Sequence, residues 1–166
     1  MTNAGKRSTN DFRARLHELL EYNGETGVLS WRVARSAGVK SGDRAGSLTK
    51  GGYRTVRVEG RPYQEHRIIF LMVHGYMPKC IDHKNRNPSD NRIVNLREST
   101  LTQNQINKAG SGKHLKGIWQ VKDRWRAALR VNKKQKNLGT FDTQEEAHAA
   151  YMAAAILHYG DFARTT

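Results

Sequence analysis

The sequence predicts an α+β protein of short strands and short helices gathered into two small modules, and three observations point there. Apolar residues recur at helical spacing in brief blocks, around Leu16 and again from His66 to His74. Alternation with a period of two marks half-exposed strands, as where Val56 and Val58 flank Arg57. At Cys80 the composition changes abruptly to a stretch rich in Asp, His, Asn and Arg, which is loop chemistry between short hydrogen-bonded elements.

Residues 1–10 are polar and read as a disordered tail, after which Phe12, Leu16, Leu19 and Leu20 give a short amphipathic helix up to Tyr22. VLSWRV, DRAGSL and the glycine-punctuated KGGYRTVRVEGRPY read as brief strands. HRIIFLMVH, apolar nearly all round and stopped by Gly75 and Pro78, reads as a buried helix. Thr102 is placed to cap a helix through Asn107 that ends by Gly110, and AGSGK at 109–113 is the best linker. Beyond it GIWQV, RWRAALRV and KNLGTF predict three strands. Thr143 with Glu146 forms a capping box for a helix whose sheet-facing side carries Ala147, Ala150, Tyr151, Ala154 and His158. The second module is therefore a three-stranded antiparallel sheet packed on one helix.

The 166 residues carry 29 Lys and Arg against 15 Asp and Glu, a formal net charge of +14. Such an excess favours a polyanionic partner, because cations that neutralise phosphates release condensed counterions. Leu, Ile, Val and Phe make up only about a fifth of the chain, which implies thin cores. The longest apolar run, Ile68 to Val73, is too short to cross a membrane, and MTNAGKRSTN has no apolar signal segment. The single cysteine, Cys80, excludes an internal disulfide and a cysteine-rich zinc site. These features predict an intracellular, cytoplasmic protein without membrane association.

Asp82 and His83 are adjacent at the end of a short apolar strand; Asn95 follows His83 by 12 residues and Asn104 follows Asn95 by 9. Histidine exchanges protons near neutral pH and suits the activation of water, while carboxylate and amide oxygens suit Mg²⁺ or Mn²⁺ better than zinc. Base, metal and phosphate electrostatics together would hydrolyse a phosphodiester. A lone Asp-His pair is more often a turn or a surface pair, so the reading depends on the asparagines that follow. Asp90 and Asn91 read as turn or cap residues. His66 reads as a structural histidine, with a supporting or phosphate-contacting role as the alternative, and Arg67, Arg86 and Arg97 flank the site as a basic rim with the same alternative.

In EHRIIFLMVHG, IDHKNRNPSDNRIVNLREST and LTQNQINK the chain resembles the HNH endonucleases, specifically the phage and intron-associated homing type. The resemblance covers residues 23–109 and implies a ββα-metal module holding one divalent cation, Mg²⁺ or Mn²⁺. It implies His83 as general base, Asp82 and Asn104 as metal ligands, and Asn95 as the residue that bonds the other imidazole nitrogen and fixes the ring. Many members have histidine where Asn104 stands, so this chain falls with the asparagine variant.

From GIWQV, RWRAALRVNKKQKNLGTF and TQEEAHAAYMAAAILHYG, residues 114–164 resemble the APETALA/ethylene-response-factor DNA-binding domain, which implies a sheet laid in the major groove. Lys116, Lys122, Arg124, Arg126, Arg130, Lys133, Lys134 and Lys136 concentrate charge there and, with Trp119 and Trp125, are the candidate DNA contacts. Strand register decides which of them face DNA, and Trp125 divides evenly between contact and core. The organisation read from the sequence is thus a tail and helix at 1–22, a nuclease module at 23–109, a linker at 110–113 and a DNA-binding module at 114–166. The expected function is metal-dependent cleavage of double-stranded DNA, by nicking or by a double-strand cut, as a monomer or weak homodimer. The alternative is a non-catalytic, sequence-specific DNA-binding regulator.

Overall fold

Ser8 opens α1 (Thr9–Leu19): its hydroxyl accepts from the Asp11 amide at 3.1 Å, and the Asp11 carboxylate accepts from the Ser8 amide at 3.2 Å. The computed structural model describes residues 8–35, 38–107 and 115–163; the linker at 110–113 and most of the polar tail lie outside them. The helix starts and ends earlier than the sequence reading placed it. The reciprocal cap sits inside the stretch read as tail, and Leu20 turns extended to begin β1 (Leu20–Asn23), which pairs antiparallel with β2 (Val28–Trp31).

The chain divides into two compact units, Met1–Ser99 and Thr100–Thr166. In the first, β3 (Ser47–Leu48), β4 (Arg54–Val58) and β5 (Arg61–Gln64) form an antiparallel meander. Glu59 and Gly60, both at positive φ, make the two-residue turn between β4 and β5. β5 runs without a break into α2 (Glu65–His74), which ends at Gly75 in the left-handed conformation. Ile68, Ile69, Phe70, Leu71 and Met72 are all buried, as expected of a helix apolar nearly all round, and they join Leu16, Leu20, Leu29, Val56 and Val58 in one core. Arg13 on α1 donates from Nε and Nη2 to the Met72 carbonyl at 3.0 and 2.9 Å, tying α1 to α2. β6 (Cys80–His83) and β7 (Leu96–Ser99) then pair antiparallel, with Asp82 opposite Arg97 and His83 opposite Leu96.

The second unit begins with α3 (Leu101–Asn107). Its cap is Thr100, not Thr102: the Thr100 hydroxyl accepts from the Gln103 amide at 3.2 Å while the Gln103 side chain accepts from the Thr100 amide at 2.8 Å. The reciprocal pair needs a partner three residues on that reaches back, and Gln103 supplies it to Thr100. Ile106 belongs to this unit's core, so α3 counts with the second unit, where the sequence reading grouped it with the first. β8 (Ile118–Val121), β9 (Arg124–Val131) and β10 (Lys134–Phe141) form a sheet in the order β10-β9-β8, and α4 (Gln144–Tyr159) lies against it, opened by the Thr143–Glu146 capping box. The buried stripe of α4 is Ala147, Tyr151 and Ala155; Ala150 and Ala154 are half-buried and His158 is exposed, so the packed face ends one turn short of the expected one.

Gly117 shows why this sheet and helix fit closely. Its φ is +77°, and a Cβ there would lie 2.0 Å from Cδ2 of Tyr151. Gly117→Ala must therefore displace the largest buried side chain of α4, and a loss of about 2 kcal/mol or more is expected in chemical or thermal unfolding. A wild-type midpoint for that variant would contradict the close approach. Among the described residues the protein has four α-helices and small antiparallel sheets, an α+β architecture, and no helix is long and apolar enough to cross a membrane.

Candidate active site

β6 carries Asp82 and His83 into the interior, where they are 4% and 6% exposed. Between β6 and β7 the chain makes a long loop almost devoid of aliphatic side chains, and its order comes from its own asparagines and aspartate. The Asn95 Oδ1 accepts from the Asn85 amide at 3.0 Å, and its Nδ2 donates to the Asp90 carbonyl at 2.7 Å. Asn85 and Asn87 each accept from an amide two residues on, and the Asp90 Oδ1 accepts from the Arg92 amide at 3.3 Å. The Arg92 guanidinium, bonded to both Asp90 oxygens, holds that carboxyl down to about 2. Tyr22 reaches in from β1 to accept from the Ile93 amide at 2.8 Å and to donate to the Asn91 carbonyl at 3.2 Å. The positions read as turn and cap residues thus build the loop.

One expectation is corrected here. The side chain bonded to His83 is Asn91, whose Oδ1 lies 2.9 Å from Nε2; Asn95 is fully engaged in bracing the loop across its base. Both asparagines are buried, but Asn95 sits in a short 3₁₀ turn, Ile93–Asn95, at the mouth of β7, from which it spans the loop rather than reaching the ring. Asn91 in turn donates from Nδ2 to Oε2 of Glu65, the first residue of α2, at 2.7 Å. Glu65 is buried, which pushes its carboxyl up, opposed by Arg44, the Asn91 bond and Arg54. The Arg54 Nε lies 4.0 Å from Oε2.

The other candidates take definite places. His66 packs edge-on against His83 with ring centroids 5.1 Å apart, and Tyr53 completes the cluster at 5.7 Å from His66 and 6.0 Å from His83. Burial, reinforced by His83 and Arg67, pushes the His66 imidazole down to about 3, so it is neutral near pH 7. Arg67 donates from Nη2 to the Pro78 carbonyl at 3.0 Å, which ties down the segment after α2. Arg97 donates from Nε to Oδ2 of Asp82 at 2.9 Å across the β6–β7 pair, and its Nη2 is 2.8 Å from the same oxygen. The Arg86 amide closes the turn after β6 by donating to the His83 carbonyl at 2.9 Å. Asn104 stands on α3 in the second unit, and its place in a metal set rests on the resemblance alone.

Asp82 offers a carboxylate oxygen of the kind that Mg²⁺ or Mn²⁺ takes, and among the described residues no group of three or more His, Cys, Asp and Glu side chains could hold a metal ion. Sequence reasoning missed Glu65, Tyr53 and the role of Asn91. An acidic residue heading an otherwise apolar helix was the one available signal, since a glutamate is rarely buried without a partner.

In the second unit, register separates the candidate DNA contacts. Trp119 pairs with Arg126, which pairs with Thr140, so these three form a row on one face of the sheet, with Arg124 and Arg130 on the same side of β9. Arg124 is paired with Asp142 at 2.8 Å. The opposite side of β9 carries Trp125, Ala127, Leu129 and Val131, and Trp125 packs against the core cluster. Trp125 is half-buried there. Lys134 and Lys136 are opposite Val131 and Leu129, and the Lys136 Nζ lies 3.4 Å from Nε2 of His158 on α4, so neither shares the arginine row. Lys122 and Lys133 lie in hairpin turns at positive φ, and Lys116 donates to the Gln105 and Ile106 carbonyls at the end of α3.

Residues 63–106 match the HNH endonuclease family. Over 120 residues the chain is 32% identical to an uncharacterised HNH endonuclease of Acanthamoeba polyphaga mimivirus, an alignment covering 70% of this chain and 63% of that protein. The chain therefore spans less than two thirds of that relative's length. Over 43 residues it is 44% identical to an ethylene-responsive transcription factor-like protein of Arabidopsis thaliana, covering 26% of this chain and 19% of that one. No solved structure matches the chain.

Proposed function

We propose that the protein is a metal-dependent endonuclease of the HNH homing type that hydrolyses a phosphodiester bond in duplex DNA. The observation that carries this reading is His83, buried at the end of β6 beside Asp82 and gripped through Nε2 by Asn91, inside the segment that matches the nuclease family. With Nε2 taken, Nδ1 is the atom that accepts the proton of the attacking water. Asn95 keeps the loop in the shape that presents the ring, and Tyr53 and His66 exclude solvent from its flanks. Arg97 holds the Asp82 carboxylate in place and carries a positive charge beside the site. Asp82 would hold the cation in a ββα-metal arrangement, and Asn104 keeps the ligand role that the resemblance implies for it. A bound divalent cation supplies Lewis-acid stabilisation of charge on the phosphate and the leaving oxygen.

Duplex binding falls to one face of the C-terminal sheet, with half-buried Trp119 and exposed Arg124, Arg126 and Arg130, in the manner of the plant-type domain it resembles, with Lys122 and Lys133 at the turns adding phosphate contacts. Incubating the full chain with supercoiled plasmid, genomic DNA and phage DNA in Mg²⁺ or Mn²⁺ tests the reading. Nicked or linear product that disappears with EDTA is expected. DNA binding without cleavage of any of the three in either metal would instead make the protein a DNA-binding regulator.

A further inference from the structure

We propose that Glu65 is a positioning residue which, through the amide of Asn91, selects the tautomer of His83 that carries its proton on Nε2 and leaves Nδ1 as the base. The inference rests on the reading of His83 as general base and adds to it the group that sets its proton. Glu65 is 0% exposed and Asn91 1% exposed, so neither can exchange its partner for water. An ionised carboxylate only accepts hydrogen bonds. Facing Glu65 Oε2 at 2.7 Å, Asn91 must therefore present its amino group there, and its carbonyl oxygen is left facing His83 Nε2 at 2.9 Å. A carbonyl oxygen likewise only accepts, so Nε2 must be the protonated nitrogen. While Glu65 is ionised, three groups from α2, the β6–β7 loop and β6 thus admit one arrangement of protons, and the carboxylate at its head determines the rest.

The cost of this arrangement argues that it has a use. A first-turn glutamate ordinarily faces solvent, where it complements the helix dipole at no desolvation penalty. Here the Gln64 side chain caps nothing, and the Glu65 carboxylate is turned into the core. Arg54, 4.0 Å away, compensates part of the buried charge. An apolar residue at this position would avoid that penalty, but it would leave the Asn91 amide free to turn over. A glutamine would fill the same volume yet offer both a donor and an acceptor, so the chain would admit both proton arrangements.

The test uses the full chain with ¹⁵N-labelled histidine, without added metal, at about pH 8, above the ordinary histidine range. Long-range ¹H–¹⁵N correlations report which nitrogen of His83 bears the proton. Wild type should show the Nε2–H form alone, and Glu65→Gln a mixture of the two forms. Single-turnover plasmid cleavage by Glu65→Gln should fall by about 10–100-fold with unchanged DNA affinity, and Glu65→Gln should cost little more once Asn91→Ala is present. An Nδ1–H form in wild type overturns the proposal without any variant, as does a Glu65→Gln protein that keeps both the wild-type tautomer and the wild-type rate. Failure of wild type to cut DNA would remove the nuclease reading, while the spectrum would still decide whether Glu65 sets the tautomer.

Discussion

His83→Ala should lower the rate of plasmid cleavage by about 10²–10⁴-fold, the usual contribution of a general base, while DNA affinity changes little. The argument is geometric. The ring sits at the end of β6, one nitrogen is occupied by Asn91, and no second imidazole in the cluster can replace it, because His66 is packed edge-on at its flank and held neutral by burial. Truncation also removes the hydrogen bond from Asn91, which adds a structural loss to the chemical one. His83→Gln, which keeps a hydrogen-bonding group beside Asn91, separates the two: it should melt close to wild type and be as inactive as alanine. A His83→Ala protein that cuts at more than a tenth of the wild-type rate would remove His83 from the chemistry.

Acidification should destabilise the first unit from about pH 6.5 downward, and His66 should account for most of the slope. Its folded pKa, about 3, lies below the ordinary value of 6.5 because the ring is buried. The unfolded chain therefore binds the proton more readily, so the stabilisation is fully present above pH 6.5 and is lost as pH falls towards 3. The loss is about 1.4 kcal/mol for each pH unit within that window, approaching about 5 kcal/mol at its lower end. Glu65 acts in the opposite sense: its raised pKa means that the folded state gains relative stability as it protonates, which offsets part of the loss at the acid end. Urea unfolding between about pH 7 and 4 should show His66→Phe with a flatter profile than wild type. Equal slopes in the two proteins would locate the acid sensitivity elsewhere.

How much of this could be read from the chain depends on the range of the forces involved. The apolar run of α2, the strand alternation at Val56 and Val58 and the Thr143–Glu146 box are local patterns, and the structure has helix, strand and cap at those places. The Ser8–Asp11 and Thr100–Gln103 boxes are equally local and were passed over, one because it adjoins a polar tail and the other because Thr102 competed for the same role. The face to which Trp125 belongs depends on register with Trp119 and Thr140, which no single strand reveals. The pairing of His83 with Asn91 instead of Asn95 is decided by the path of the loop, since two asparagines four residues apart carry the same chemistry. Glu65 was the least legible, lying 26 residues from Asn91 in sequence, with contact made only when α2 packs beside the loop.

The loop between β6 and β7 has one more property that follows from how it is bonded. The amides of Asn85, Asn87, Ser89 and Arg92 are held by side chains of the loop itself or of its base, and that of Ile93 by the Tyr22 hydroxyl. None of these bonds is a backbone bond of a helix or a ladder. The amides therefore exchange with solvent through a local opening of this segment, without loss of the aliphatic core, and form a cooperative unit smaller than the domain. The surroundings of His83 thus have a lifetime of their own, set by asparagine and aspartate side chains rather than by the number of leucines beneath them.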